Sequence, residues 1–281
     1  MKDKNNQDID IQLISEKDII NQLQFTEGSS LFLGKYTLKE MFLIIEKIGL
    51  VKKANKIGFT ELKIDLESPD VSTQRLTIYN KYKNKNNLIV DLLVSIENFE
   101  PHQHNIDFFG PERLKYLTIE WLTLQNPKAS FTPEKKKLPG QKFPGLGIKK
   151  ELYILFRALG RDLKVDGIQA KPQFFHNAMM YKDYFKFTNP EKEGEFRAVY
   201  QKFIEELGFY HLSWAVYENC IKYGFLRKNY SWKCGSQLFP LRKRTIDYFN
   251  SPEYKRKADE SRQKWLKVLK LKSSCLAGIS V

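Results

Sequence analysis

The chain of 281 residues has few cysteines and no long hydrophobic run, and these two absences narrow what it can be. Cys220, Cys234 and Cys275 show no spacing typical of a metal site, and three is an odd number for a disulfide framework. We therefore expect reduced cysteines and a cytoplasmic protein. No apolar stretch reaches the roughly 18–20 residues that a membrane span requires. Residues 1–8 are polar and lack the apolar core of a signal peptide.

Several motifs of known chemistry are missing as well. The chain has no Gly-x-x-x-x-Gly-Lys-Ser/Thr sequence for nucleotide phosphates and no nucleophile elbow for a hydrolase. His102 and His104 form a His-x-His pair, but no third strong ligand is placed beside them. We therefore predict a polar loop there rather than a metal site, and no bound metal.

What the chain has in abundance is apolar material and positive charge. Hydrophobic residues make up 42% of it and aromatic residues 14%, enough for a sizeable core. The net charge of +14 favours an anionic partner such as nucleic acid, a lipid surface or a phosphorylated ligand. The alternative is that most of the lysines are simply solvated.

Local patterns predict a mixed α/β chain. Residues 61–67 alternate apolar and polar side chains, as a half-buried strand does. Thr37 and Glu40 form a capping box that begins a helix, which Gly49 closes. The strand at 88–96 is apolar on both faces around Asp91 and should lie centrally. The remaining predicted elements are strands at 74–82 and 114–124, a helix at 148–159, a strand at 165–170, a helix at 173–184 and a strand at 185–187.

Three regions follow from these patterns. Residues 1–16 are a polar leader, 17–190 form the mixed α/β domain, and 191–281 form a helical, basic C-terminal extension. Residues 191–223 read as mostly helical, and 251–272 as a basic amphipathic helix. The basic tail, which comprises residues 242–244 and 255–257 and runs through Lys272, could bind RNA or an anionic surface, or it could be a solvated helix packed through Trp265 and Leu269.

Residues 138–147 read Leu-Pro-Gly-Gln-Lys-Phe-Pro-Gly-Leu-Gly and lead directly into the predicted helix at 148–159. A glycine-containing loop before a helix N-terminus favours an anion, because the first N–H groups of the helix are free and its dipole is positive there. Gly145 and Gly147 let the backbone approach a ligand closely. The alternative is an ordinary glycine turn.

This order of elements resembles the GNAT superfamily of acyl-CoA N-acyltransferases over roughly residues 35–190. The loop of that family has the form Gln/Arg-x-x-Gly-x-Gly/Ala. Lys142, Gly145 and Gly147 fit it with lysine in the first place, or Gln141 fits with one extra residue. The resemblance implies an α/β (α+β) fold, with a mixed, largely antiparallel sheet flanked by helices and an extra C-terminal helical region.

The resemblance also implies a co-substrate and its binding residues. Acetyl-CoA or another acyl-CoA would be bound, with its pyrophosphate held by Gln141, Lys142, Gly145, Leu146 and Gly147. His176, on the next predicted helix, could touch the cofactor or could be a buried structural histidine.

A catalytic pair is expected on the same basis. The family has a tyrosine near the end of the helix after its fifth strand, and this residue often protonates the departing thiolate. Tyr181 is the best match, with Tyr184 as the alternative. Glu120 is a candidate base, because apolar neighbours in the sequence would raise its pKa, and Asp91 is a second candidate.

The function expected from the resemblance is transfer of an acyl group, acetyl first, to an unidentified amine by direct attack on the thioester. The alternative is a GNAT-like binding or scaffold protein without catalysis, associated with nucleic acid through its basic C-terminal region.

Overall fold

The first described elements are two helices, and the first begins as its cap predicts. The computed structural model describes residues 31–69, 72–104, 106–224 and 228–272, so the predicted leader at 1–16 lies outside the described residues. Helix α1 spans Leu38–Lys47, and helix α2 spans Leu50–Lys56. The Thr37 N–H donates to the Glu40 carboxylate at 2.7 Å, and the Thr37 hydroxyl accepts from the Glu40 N–H at 3.2 Å. The predicted capping box is therefore confirmed.

Four antiparallel strands follow. They are β1 (Leu62–Glu67), β2 (Thr73–Asn80), β3 (Leu88–Phe99) and β4 (Leu114–Leu124). Each strand pairs with the next in the chain, and β3 lies third in a sheet of seven strands. The predicted meander and the central place of β3 are confirmed.

A strand–helix–strand connection then adds a parallel neighbour. Helix α3 (Lys149–Asp162) leads to β5 (Gly167–Ala170), which pairs with β4 in parallel. Helix α4 (Phe175–Tyr181) and strand β6 (Lys186–Phe187) complete this half of the chain.

The C-terminal part contributes helices and also a strand of the main sheet. Its elements are α5 (Pro190–Tyr217), β7 (Ile221–Tyr223), β8 (Gln237–Pro240), α6 (Lys243–Asn250), α7 (Pro252–Val268) and β9 (Leu269–Leu271). Strand β8 lies between β5 and β6, and β7 pairs with β9 in a small separate sheet. The predicted helices at 191–223 and 251–272 therefore end earlier than expected, since β7 and β9 occupy their last residues.

One buried carboxylate ties the C-terminal part to the sheet. The Asp166 carboxylate accepts from Arg244 Nε at 2.6 Å and from the Lys115 N–H at 2.8 Å. The Asp166 carbonyl accepts from the Thr245 hydroxyl at 2.8 Å. The boundary at residue 190 stays a prediction, but the seven-stranded sheet takes strands from both sides of it.

The core forms in three clusters around this sheet. The largest includes apolar side chains of β2–β5 and of helices α1, α2 and α3. A second joins α4 and α5 with β7 and β9, and a third joins β4 and β8 with α6 and α7. The protein is thus a mixed α/β fold with a large, mostly antiparallel sheet flanked by helices, as predicted.

Candidate functional site

Strand β4 lies in the interior of the sheet, yet the second half of it is unpaired on one side among the described strands; we call this stretch, residues 120–124, the open edge. Strand β4 pairs with β5 only from Tyr116 to Ile119, because β5 ends at Ala170. The register of β4 against β3 shifts at the same point: Ile119 lies opposite Val94 and Trp121 opposite Leu93, which leaves Glu120 as the extra residue of a bulge. Residues 120–124 continue beside β3, and their other edge has no strand partner among the described strands.

The glycine loop closes the far end of this edge. Gln125, directly after β4, pairs with Gly145 in an antiparallel bridge, and the Asn126 N–H donates to the Pro144 carbonyl at 2.7 Å. The open edge of residues 120–124 therefore has β5 at one end and the loop at the other. An unpaired strand edge offers a row of N–H and C=O groups to an extended ligand.

The glycine loop leads directly into helix α3. The N-terminus of this helix has no side-chain capping hydrogen bond. The first turn of this helix is closed by the Leu152 N–H, which donates to the Ile148 carbonyl at 3.0 Å. The amides of residues 149–151 are then the free donors of the first turn, and the helix dipole is positive there. Lys149 and Lys150 are exposed beside them and add positive charge.

The five loop residues predicted to bind the pyrophosphate of CoA differ in whether their side chains are free to contact a ligand. The Gln141 side-chain oxygen accepts from the Leu138 N–H at 3.1 Å and so holds the loop itself together. Lys142 is exposed. Leu146 is buried in the largest core cluster and anchors the loop. The backbone of Gly145 and Gly147 remains as the part closest to the open edge and the helix N-terminus.

Tyr181 is the last residue of α4 and packs against the largest core cluster, which also contains Leu146 and Ile119. Its ring lies 5.3 Å from that of Phe185. Burial raises the pKa of the Tyr181 phenol to about 12, so the phenol stays protonated at neutral pH. The alternative, Tyr184, is an exposed residue.

Glu120 lies in the bulge and is exposed, so the apolar setting predicted from its neighbours in the sequence is wrong. The extra residue of the bulge turns this side chain out of the regular alternation of the strand. Its carboxylate accepts from the Ser95 hydroxyl at 2.7 Å.

Asp91, the second candidate base, is buried in an ion pair. Its two carboxylate oxygens accept from Arg75 Nε and Nη2, each at 2.6 Å. A carboxylate held in this way on both oxygens is a structural group. This ion pair agrees with a structural role for Asp91.

His176 is buried in the first turn of α4, and its ring stacks on that of Phe174 at 5.3 Å. Its Nδ1 has no hydrogen-bond partner among the described residues, and burial lowers the pKa of the imidazole to about 4. The imidazole is thus neutral at pH 7. His176 was predicted either to touch the cofactor or to be a buried structural histidine, and its buried position agrees with the second interpretation.

The cysteines depart from the expectation. Cys220 is buried and disulfide-bonded, whereas Cys234 is exposed and free. The reduced state predicted for all three is therefore wrong for Cys220. The cytoplasmic location stays a prediction. Within the described part of the chain, no helix is long and apolar enough to cross a membrane. The same residues contain no cluster of three or more metal-ligating side chains.

No protein-family model matches the chain, and no curated protein matches its sequence. The site therefore has to be interpreted from its own geometry. The structure brings together the glycine loop, the open edge of β4 with Glu120 at its start, and the N-terminus of α3. Tyr181 packs against the large core cluster to which Leu146 of the loop and Ile119 of β4 also belong. Sequence reasoning missed the bulge and the open edge.

Proposed function

We propose that this chain is an acyl-CoA-dependent N-acyltransferase with a GNAT-like fold. The observation that carries the proposal is the open edge of residues 120–124, which lies between the end of β5 and the glycine loop. Coenzyme A has the two features that such a site can bind: a pyrophosphate, and an extended arm with two amides.

The parts of the site match the parts of the cofactor. The backbone of residues 145–147 and the free amides of α3 offer donors to the pyrophosphate, and Lys142 and Lys149 add charge. The amides of the pantetheine arm can hydrogen-bond to the open edge of β4, as an added strand does. The thioester then lies toward the bulge at Glu120, where β4 and β5 part.

The proposed chemistry is direct attack of an amine on the thioester carbonyl. Glu120 accepts the proton of the attacking ammonium, directly or through a water, and the exposed position of its carboxylate gives an amine access to it. The tetrahedral intermediate collapses with cleavage of the C–S bond. The Tyr181 phenol, protonated at neutral pH, donates its proton to the departing thiolate, and the resulting phenolate takes up the second proton that the attacking nitrogen loses as the amide forms.

The test is release of free thiol from acetyl-CoA in the presence of a panel of primary amines, polyamines and lysine peptides. We expect release that depends on the amine and falls sharply in Glu120→Gln. Tyr184→Phe is the matched control for Tyr181→Phe, because it removes an exposed hydroxyl from the same segment. Binding of CoA with no thiol release from any amine would contradict the enzymatic proposal and favour a binding protein. No binding of acetyl-CoA or longer acyl-CoAs would contradict both.

A further inference from the structure

A dense cluster of positive charge lies around the glycine loop. Residues 126–150 contain seven lysines and one glutamate. Three of these lysines are consecutive, at 135–137, and all three are exposed. Lys136 and Lys137 form no ion pair with any carboxylate of the described residues.

This basic segment is docked on the C-terminal half of α5. The Trp214 indole N–H donates to the Lys137 carbonyl at 3.0 Å, and the Lys136 ammonium lies 5.0 Å from the centre of the Tyr210 ring. The helix changes direction at Gly208, which has a φ of 66°. Tyr210 and Trp214, both in the half that follows the kink, therefore contact the lysine segment.

Two further aromatic side chains of this half face solvent, and the Tyr217 ring packs edge-on against that of Trp214 with the ring centroids 5.6 Å apart. Tyr217 is 51% exposed and Phe209 is 38% exposed, although both are large apolar residues. We call residues 135–137 together with Phe209, Tyr210, Trp214 and Tyr217 the basic–aromatic face. Unpaired lysines next to exposed rings offer phosphate contacts and stacking surfaces side by side.

Helix α7 belongs to the basic C-terminal region for which the sequence analysis offered nucleic-acid binding, but its surface differs from the basic–aromatic face. Three of its six cations are paired with carboxylates one turn away: Arg256 with Glu260 and Lys257 with Glu253, each at 2.8 Å, and Arg262 with Asp259 at 2.5 Å. Lys255, Lys264 and Lys267 belong to none of these pairs, but no exposed large apolar side chain of the described residues lies in α7. This helix therefore offers charge without a stacking surface.

We infer that the basic–aromatic face binds single-stranded nucleic acid. Its lysines contact the phosphates and release condensed counterions, while Phe209 and Tyr217 stack on unpaired bases. A duplex keeps its bases stacked internally and cannot use these rings. The inference does not rest on the proposed acyl transfer, although the Lys135 ammonium donates to the Gly145 carbonyl at 3.4 Å and so borders the loop proposed for CoA.

The experiment measures fluorescence anisotropy of a labelled single-stranded RNA of about 12 nucleotides, within the usual site size of such proteins, over a range of salt concentrations. For the wild-type chain we expect a Kd of roughly 1–100 μM and a steep salt dependence. Changing Lys135, Lys136 and Lys137 together to Gln should reduce the slope of log K against log salt by about 2, since each lysine contributes about 0.7 on a single strand. The matched control changes Lys255, Lys264 and Lys267 of α7 to Gln, which removes the same charge and should leave the slope nearly unchanged.

The rings are tested separately. Phe209→Leu and Tyr217→Leu keep an apolar side chain, and each should weaken binding by roughly 5- to 150-fold if it removes one stacked base. Melting temperatures verify that each variant is folded.

An equal loss of RNA affinity in the loop triple variant and in the α7 triple variant would overturn the inference, because binding would then depend on the net charge of the protein and not on where the lysines lie. So would equal affinity for a duplex, or undiminished binding in both Leu variants. Loss of RNA binding in Gly145→Val would place the RNA in the glycine loop instead and would also overturn it.

Discussion

Gly145 and Gly140 lie in the same loop, but their surroundings are opposite, and this gives a matched pair of substitutions for the proposed CoA site. A Cβ added at Gly145 would have only the Leu124 carbonyl within 4 Å, at 3.8 Å, and Gly145 pairs with Gln125 as an extended residue. Valine suits such a backbone, so Gly145→Val should leave the free energy of unfolding within about 0.5 kcal/mol of wild type.

The same change should abolish CoA binding, because its branched side chain fills the space that the pyrophosphate would take. A ligand present at about 100 times its Kd stabilises a protein by about 2.7 kcal/mol. For a chain of 281 residues that corresponds to a rise of roughly 4–5 °C in melting temperature. We expect that rise with acetyl-CoA in the wild type and none in Gly145→Val.

Gly140 is the control from the same loop. Its φ is +76°, and a Cβ there would lie 2.6 Å from Cζ of the Phe174 ring. The positive φ costs alanine about 1–2 kcal/mol. Displacing the ring costs roughly 1–3 kcal/mol more. Gly140→Ala should therefore lower stability, measured by urea denaturation, and should still show the shift with acetyl-CoA. A shift that survives in Gly145→Val would refute the placement of the pyrophosphate. Equal destabilisation in both variants would refute the structural reasoning behind the pair.

Three further predictions address single side chains. Tyr181→Phe should reduce turnover by roughly 10²–10⁴-fold with little change in CoA affinity. With a phenol pKa of about 12, the wild type should lose no activity to ionisation of this group below about pH 11, which a pH–rate profile checks. His176 has a folded-state pKa of about 4, below its unfolded value, so stability should fall as the pH drops below about 6.5. Urea denaturation should show a loss of about 2 kcal/mol between pH 7 and pH 5, which His176→Gln removes and the exposed His102→Gln does not. Asp166→Ala breaks the pair with the half-exposed Arg244 and leaves the Lys115 N–H without its acceptor, so it should cost about 2–3 kcal/mol. Asp247→Ala, in an exposed pair with Lys243, should cost under about 0.5 kcal/mol; similar losses in the two variants would contradict the structural role of Asp166.

Local patterns were sufficient to predict most elements of the fold. Strand β4 has the predicted bounds, and the helix that begins at Thr37 has the predicted cap. These features are set by side chains two to four residues apart, which the sequence displays directly.

Strand β8 could not be predicted from such local patterns. It is four residues long, and its partners Gly167 and Ala170 lie about seventy residues earlier in the chain. Nothing local in Gln237–Pro240 distinguishes it from a loop, because its burial is created by distant strands.

The candidate site shows the same limit and one exception to it. The glycine loop was predicted from its sequence, but the bulge at Glu120 was not, since a register shift leaves no mark in the pattern of a single strand. The open edge, in contrast, could have been inferred from the unequal lengths of two neighbouring strands. Strand β4 has 11 residues and its parallel neighbour β5 has 4. A long strand that pairs with a short one must leave part of its edge unpaired. Since β5 pairs with the first half of β4, the unpaired part lies at the carboxyl end, beside the loop that follows. In open α/β sheets ligands bind at the carboxyl ends of parallel strands, so unequal strand lengths together with a glycine loop locate the site better than the loop alone.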